Sequence, residues 1–414
     1  MFLLKRSVCL CIGFSAAVFL SLFSPLYSAD SEGAETTPES AWGGAAEEIS
    51  KVVEARRGKT ELSKLAASMK PGTWAELKTK RPKGGKLWSS PKWKGGRNKG
   101  GCGGLHIAGW TNDAHWDSRT GQFFYMGLRQ SRRFIAYSEE KNEWRSIDLD
   151  PKTGNPVVLT NTGHIYGTNG FDHERSRFYH FYRRFKSEKY DMDFEQGISY
   201  FDAVTEKWTQ LPKGPGCMTL EYFTAMDGLI VLHKTPKFFS EKQQKWEKMA
   251  ASPVSGYHSL ARHNPFRQEV LIAGGNHNPR TVARITKDGK IQKLKDFPVR
   301  DISVRGDKLT VDPQTGRYLL WQFHGRGKGV VGVYVYQFDS DKDEWREVKN
   351  AAATKFPWSY YKRPYTVSAF IPEYNVIMFA NGRVHLYKHD PDADYPLLSA
   401  ATSGAEKKNR GEKK

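Results

Sequence analysis

The sequence predicts an all-β chain, a six-bladed β-propeller of four-stranded antiparallel blades, closed by an N-terminal strand that joins the last blade. Two observations predict it. A Trp-led strand following a short polar turn recurs as Ser138-x5-Trp144, Asp202-x5-Trp208, Ser240-x5-Trp246 and Asp339-x5-Trp345. The same element stands once more as Trp74-Ala-Glu-Leu77, ahead of the first repeat, whereas the last repeat, near residue 390, lacks it. A ring whose final blade borrows its closing strand from the start of the chain accounts for both. A pair of sandwich domains gives no reason for such a loan.

Residues 1–29 read as a signal peptide. Lys5 and Arg6 open it, Val8 to Leu22 is apolar, and Leu26-Tyr-Ser-Ala29 offers small residues for cleavage. The expected location is therefore secreted or periplasmic, with a retained anchor as the alternative. No later stretch is apolar enough to span a bilayer. Residues 30–70 read as a flexible leader with a short helix: Ile49, Val52, Val53, Leu62, Leu65 and Ala66 have helical spacing, broken near Gly58. Cys102 and Cys217 follow in the exported part, where either a disulfide or two buried thiols is open.

Residues 71–392 form the propeller. The inner turns are Asp117-Ser-Arg-Thr-Gly121, Asp172 to Ser176, Asp227-Gly228, Asn264 to Arg267, Asp312 to Gly316 and Pro372 to Asn375. Asx side chains and Gly suit such turns, and Asp227-Gly228 carries the strongest hairpin signal. Short apolar second strands follow: Gln122–Met126, Phe178–Tyr182, Leu229–Leu232, Glu269–Ala273, Tyr318–Phe323 and Val376–Phe379. Third strands are Phe134–Tyr137, Gly197–Phe201, Val282–Ile285, Val331–Phe338 and Val384–Tyr387, with Phe238–Phe239 a poor one. Blade 4 closes with Ile291-Gln-Lys-Leu294 instead of a Trp strand. Residues 393–414 read as a basic disordered tail.

The doublet in Val270-Leu-Ile-Ala-Gly274-Gly275 and the spacings Tyr137…Trp144, Phe201…Trp208 and Phe338…Trp345 resemble kelch-type propellers, the superfamily of the galactose oxidase central domain. The resemblance covers roughly residues 72–392 with degenerate motifs. It implies the fold, a Trp packed between blades, and ligand binding around one mouth. It does not carry the copper-radical chemistry, for which Cys102 in Gly-Cys-Gly-Gly lacks context.

The formal charge is +19. Between Lys78 and Lys99 stand nine Lys/Arg and no acid, with Trp88 and Trp93 among them. Such a field attracts polyanions, and export points to an acidic or sulfated polysaccharide or an anionic cell envelope rather than nucleic acid. Strands 4→1 and 2→3 connect at one face. Aligning the repeats puts Asn112, Asp113, His115, His164, Tyr166, Asn169, Glu221, Tyr222, Tyr257, His258, Asp301, Arg305 and Tyr365 at the starts of inner strands. Arg129, His233, Asn276, His277, His324, Arg326 and Arg383 follow second strands. The expected ligand residues are Asn112, His115, His164, Tyr166, Tyr222, His258, His277, Arg305, Arg326, Tyr365 and Arg383, because His and Arg suit carboxylate or sulfate groups. No metal or cofactor is expected: the chain has no P-loop, dinucleotide fingerprint or recognised ligand spacing.

Binding of an anionic polymer by a monomer is the first expectation, and whether the chain is an enzyme stays open. The alternative is a lyase on a uronate polysaccharide, with His164 or His258 as base, Tyr166, Tyr222 or Tyr257 as acid, and Arg305 neutralising the carboxylate. A hydrolase with paired carboxylates fits less well, because the face is poor in acids. A protein-interaction scaffold is the third reading.

Overall fold

The computed structural model describes residues 37, 41–80, 111, 113–127, 133–147, 166–182, 185–187, 192–194, 197–216, 219–233, 235–255, 257–304, 306–325, 330–349, 357, 366–380 and 383–398. The signal-peptide segment, most of the basic run from Lys78 to Lys99, both late cysteines and the tail beyond 398 lie outside them.

Six four-stranded antiparallel sheets form the six blades of a propeller. From the axis outward, blade 1 is His115–Asp117, Gln122–Gly127, Arg133–Ser138 and Glu143–Ser146. Blade 2 is Asn169–Asp172, Arg177–Tyr182, Gly197–Asp202 and Lys207–Gln210. Blade 3 is Thr219–Phe223, Gly228–Leu232, Lys237–Ser240 and Lys245–Lys248. Blade 4 is Leu260–Asn264, Glu269–Ala273, Val282–Thr286 and Ile291–Leu294. Blade 5 is Asp307–Val311, Tyr318–Gly325, Val330–Asp339 and Glu344–Glu347. Blade 6 is Val367–Ile371, Val376–Ala380 and Val384–Lys388, and its fourth strand is Thr73–Leu77.

That last strand makes the ring. It pairs antiparallel with Val384–Lys388 in the register Trp74↔Tyr387. The same pairing of an aromatic on strand 3 with the Trp on strand 4 recurs as Tyr137↔Trp144, Phe201↔Trp208, Phe239↔Trp246 and Phe338↔Trp345. Blade 4 has Ile285↔Ile291 in its place. Cross-strand aromatic pairs stabilise the outer edge of the other five sheets, and the indoles of blades 6 and 2 reach the preceding blade. Trp74 lies 5.6 Å from Trp321 of blade 5, and Trp208 lies 5.3 Å from Phe134 of blade 1.

Two turns differ from expectation. Asp227-Gly228 is not a two-residue hairpin. Thr224–Met226 forms a 3-10 turn that ends on left-handed Asp227, and Gly228 already belongs to the next strand. Pro372–Tyr374 followed by left-handed Asn375 repeats this device in blade 6. Asx residues accept the left-handed conformation at lower cost than others, so the Asp signal was sound but the turn is longer. The connection between strands 2 and 3 of blade 2 also holds a hairpin, Phe185–Ser187 with Met192–Phe194.

Residues 41–69 cover the face where strands 1→2 and 3→4 turn. Helix α1 (Ala46–Arg56) and helix α2 (Glu61–Ser68) are separated around Gly58, and Thr60 caps α2 by accepting from the Ser63 N–H at 3.0 Å. Ile49 and Val53 of α1 bury with Trp42 against Phe266 of blade 4. Arg56 reaches into blade 1 and blade 6. Its Nε lies 3.0 Å from Glu139, its guanidinium 3.6 Å from Glu373, and it donates to the Ser118 and Arg119 carbonyls. Gly44 N–H donates to Glu174 of blade 2 at 3.0 Å. One short segment therefore ties four blades together across that mouth.

Candidate functional site

The inner strands are buried along their whole length, and the polar residues among the apolar ones face a channel that is filled. Asp113 of blade 1 and Arg262 of blade 4, on opposite sides of the ring, meet at 2.7 Å with side-chain exposures of 3% and 5%. Arg262 Nε also donates to the Leu309 carbonyl of blade 5 at 3.2 Å. Glu221 of blade 3 accepts the His263 backbone N–H at 3.2 Å. Burial raises both carboxyls above their ordinary range. Arg262 and Lys308 pull Asp113 back down, while the charge of Asp113 adds to the effect on Glu221, which is pushed up to about 8. Lys308, also in the channel, is brought down to about 8 by burial.

Below this pair, towards the helical cap, a small cavity is lined by His115, Phe171, His173, Glu221, Arg262, His263 and Phe370. It has room for about one water. Burial and Arg262 depress all three histidines, His173 to about 4, and neighbouring imidazoles add to the effect on His115 and His263. They are neutral at pH 7. Among the described residues no group of His, Cys, Asp and Glu is arranged to hold a metal ion.

Above the pair, at the face where strands 4→1 and 2→3 connect, three of the expected residues come together. Tyr166 of blade 2 and His258 of blade 4 are 5.3 Å apart between ring centroids, and Tyr257 packs on His258 at 3.6 Å. His258 Nδ1 lies 2.9 Å from Asn276 Oδ1. With the amide oxygen accepting, Nδ1 carries a proton, and in the neutral ring Nε2 is the lone-pair nitrogen. His258 has φ +74, in the left-handed region, a conformation that costs a residue other than glycine about 1–3 kcal/mol. Two hydrogen bonds hold it there, Val304 N–H to the His258 carbonyl and Asn276 N–H to the Tyr257 carbonyl, each 3.0 Å. The doublet Gly274-Gly275, both with positive φ, lets the incoming backbone at Ile302 pass close by; a Cβ on Gly274 would stand 2.3 Å from the Ile302 carbonyl oxygen. His277, exposed, follows Asn276, and Arg383 is exposed at the turn after strand 2 of blade 6.

The other expected residues are elsewhere. His115 lies in the channel, stacked on Phe171 at 5.8 Å. Glu221 and Tyr222 sit mid-strand rather than at its start. Tyr222 faces blade 2, stacked on Tyr179, donating to Asp227 at 2.8 Å and accepting from Arg175 at 2.6 Å. That places it between blades 2 and 3, with its hydroxyl at the 1→2 turns rather than at the face where strands 4→1 and 2→3 connect. Asn112, His164, Arg305, Arg326 and Tyr365 lie outside the described residues. Arg262, Lys308 and His173 were not singled out in the sequence. Their signal was present, however: Leu260-Ala-Arg-His-Asn264 and Asp307-Lys-Leu-Thr-Val311 put cations at mid-strand positions that a propeller buries, and a buried cation requires a partner.

No helix of the described residues is long and apolar enough to cross a membrane. No family model matches the chain, and no curated protein matches it. Among solved structures it is similar to a structural genomics protein of unknown function from Bacteroides thetaiotaomicron, at 11% identity and TM-score 0.44, over 67% of this chain and 70% of that one. It is similar to TolB from Acinetobacter baumannii at 9% identity and TM-score 0.38, over 56% of this chain and 52% of that one. Likeness at this level carries no functional argument; the propeller rests on its own six sheets.

Proposed function

We propose that this propeller is an exported, kelch-like module that binds an anionic glycan or envelope polymer on the face carrying Tyr166, Tyr257, His258 and Asn276. One observation carries the reading. Among the described residues, residues 41–69 pack on the opposite mouth and the Asp113–Arg262 pair lies in the channel, which favours this side as the approach to the ring's polar centre. The connections that run between strands 4 and 1 or 2 and 3 add cations in the sequence, seven Lys/Arg and no acid over residues 81–110 alone. Tyr257 offers a ring for a sugar face, and Arg383 and His277 offer donors to its carboxylate or sulfate.

The test is retention of the protein on immobilised sulfated and uronate polysaccharides across a salt series. Binding that weakens with salt, and weakens further in Tyr257→Ala and Arg383→Ala, supports the reading; retention unchanged by both variants overturns it. The contact of His258 with Tyr257 and Tyr166, with Nε2 as the lone-pair nitrogen, favours a second reading, a uronate lyase in which His258 takes the proton beside the carboxylate and a tyrosine protonates the leaving oxygen. Absorbance of unsaturated uronate product, lost in His258→Ala, separates it from binding alone.

A further inference from the structure

The cavity under the Asp113–Arg262 pair contains more hydrogen-bonding capacity than the protein uses. His263 has no hydrogen-bond partner at either ring nitrogen, and the same holds for His115 Nε2, His173 Nδ1 and Glu221 Oε1. These side chains are at least nine-tenths buried, with residue exposures of 4%, 5%, 8% and 2% in that order. They come from blades 4, 1, 2 and 3, so the cavity is a product of ring closure rather than of one sheet. A buried polar atom without a partner costs about 1–3 kcal/mol, and several around one small space call for an occupant that satisfies them together.

The surroundings narrow the choice. There is room for about one water, which excludes sulfate, phosphate and carboxylates. Arg262 lines the cavity and repels cations, and no metal-holding group exists among the described residues. Three imidazoles offer N–H donors, and the guanidinium adds a positive field. Glu221 spends Oε2 on the His263 backbone N–H, so its other oxygen, when protonated, turns an O–H towards the cavity. Donors from several directions with a cation beside them form an anion site of monatomic size.

We propose that the channel of this propeller binds a single halide ion, held by His115, His173, His263 and Arg262 and bridging three blades below the Asp113–Arg262 pair. The ionisable groups lining it are His115 of blade 1, His173 of blade 2, Glu221 of blade 3, and Arg262 and His263 of blade 4, with Asp113 paired to Arg262 and the buried Lys308 of blade 5 near that pair. An anion there is favoured by a protonated Glu221 and disfavoured by its carboxylate. Halide binding therefore takes up or retains a proton and weakens as the pH rises through about 8.

Thermal unfolding of the full chain in chloride or bromide, against gluconate at equal ionic strength, tests this. At pH 6, a halide concentration about a hundred times Kd raises the midpoint by about 3–4 °C. The shift shrinks at pH 9 and is lost in His263→Phe. Crystals grown in bromide supply a readout that needs no variant: an anomalous peak within hydrogen-bond distance of His263 and Arg262. Equal midpoints in halide and gluconate overturn the proposal, as does a water in the cavity of bromide-grown crystals. A bromide peak with no difference in solution marks an adventitious ion only, and overturns it too.

Discussion

Arg262 shows how one side chain can be costly and necessary at once. It is buried on an inner strand, 2.7 Å from Asp113 on the opposite side of the ring. Desolvating the two charges offsets much of their attraction, so the pair adds little net stability; removing one member leaves the other buried and unpaired. Arg262→Met is expected to destabilise the chain by about 3–5 kcal/mol, measured by urea unfolding. Asp113→Asn in the same chain should restore more than half of that loss. A double variant no more stable than the single one would show that Arg262 acts through packing instead. The sequence displayed both residues, and Asp113 was read as lying on the ligand face. What it could not display was the partner, because residues 113 and 262 meet only once blades 1 to 4 are in place.

At the scale of elements, the Trp strand is the clearest signal in the chain, and it is clear for a local reason. A Trp seven residues after an aromatic, across a tight polar turn, lands opposite that aromatic in the hairpin register, as in Tyr137↔Trp144. Two residues suffice to write it, so second, third and fourth strands were legible from the repeats. Inner strands were less so. Their polar residues, such as Glu221 and Arg262, break the apolar pattern for the sake of the channel. Helix α1 and its landing surface were invisible as a pair: the helical spacing of Ile49 and Val53 can be read, but Glu139, Glu174 and Glu373 are distant turn residues. The closing strand is where an element can be tested alone. Trp74 packs against Tyr387, Phe379 and Trp321 at 4.9, 5.2 and 5.6 Å. Trp74→Ala should cost about 3–5 kcal/mol, with hydrogen exchange accelerating first in Val384–Lys388, the strand it pairs with. Exchange rising uniformly over all blades would argue that the ring opens only as a whole.

For the whole molecule, buried ionisable groups set the response to pH. Glu221 is pushed up to about 8, and Asp307 and Glu373 to about 7, chiefly by burial. A carboxyl whose folded pKa lies above its unfolded one stabilises the fold fully below the unfolded value, and that contribution is lost as pH rises through the folded one. His173 and His180, at about 4 and 3, act oppositely: their contribution is present above 6.5 and is lost as pH falls through those values. The two sets oppose each other between about 4.5 and 6.5. From 6.5 to 8 only the carboxyls still titrate differently in the two states, so stability declines with rising pH, by at most about 1.4 kcal/mol per unit for each group. Lys308, down at about 8, reverses the trend above that pH. Unfolding midpoints at constant ionic strength should therefore fall between pH 6.5 and 8, and fall less in Glu373→Gln. A flat profile would mean that these carboxyls are already ionised in the folded state.

The pairing of Thr73–Leu77 with Val384–Lys388 also sets an order of events. These strands are neighbours in space but lie at opposite ends of the folded region, so nearly the whole loop must be closed before they meet. Blades 1 to 5 each contain all of their own strands and can form as the chain emerges. Blade 6 cannot, because its fourth strand lies at the other end of the folded region. Until Val384–Lys388 is made, Thr73–Leu77 has no strand to pair with, and Trp74 lacks Tyr387 and Phe379. In a chain threaded from its N-terminus, the first part of the propeller to be made is the last to find its place. The slow, aggregation-sensitive step of folding is then ring closure itself, at the single seam between the two ends.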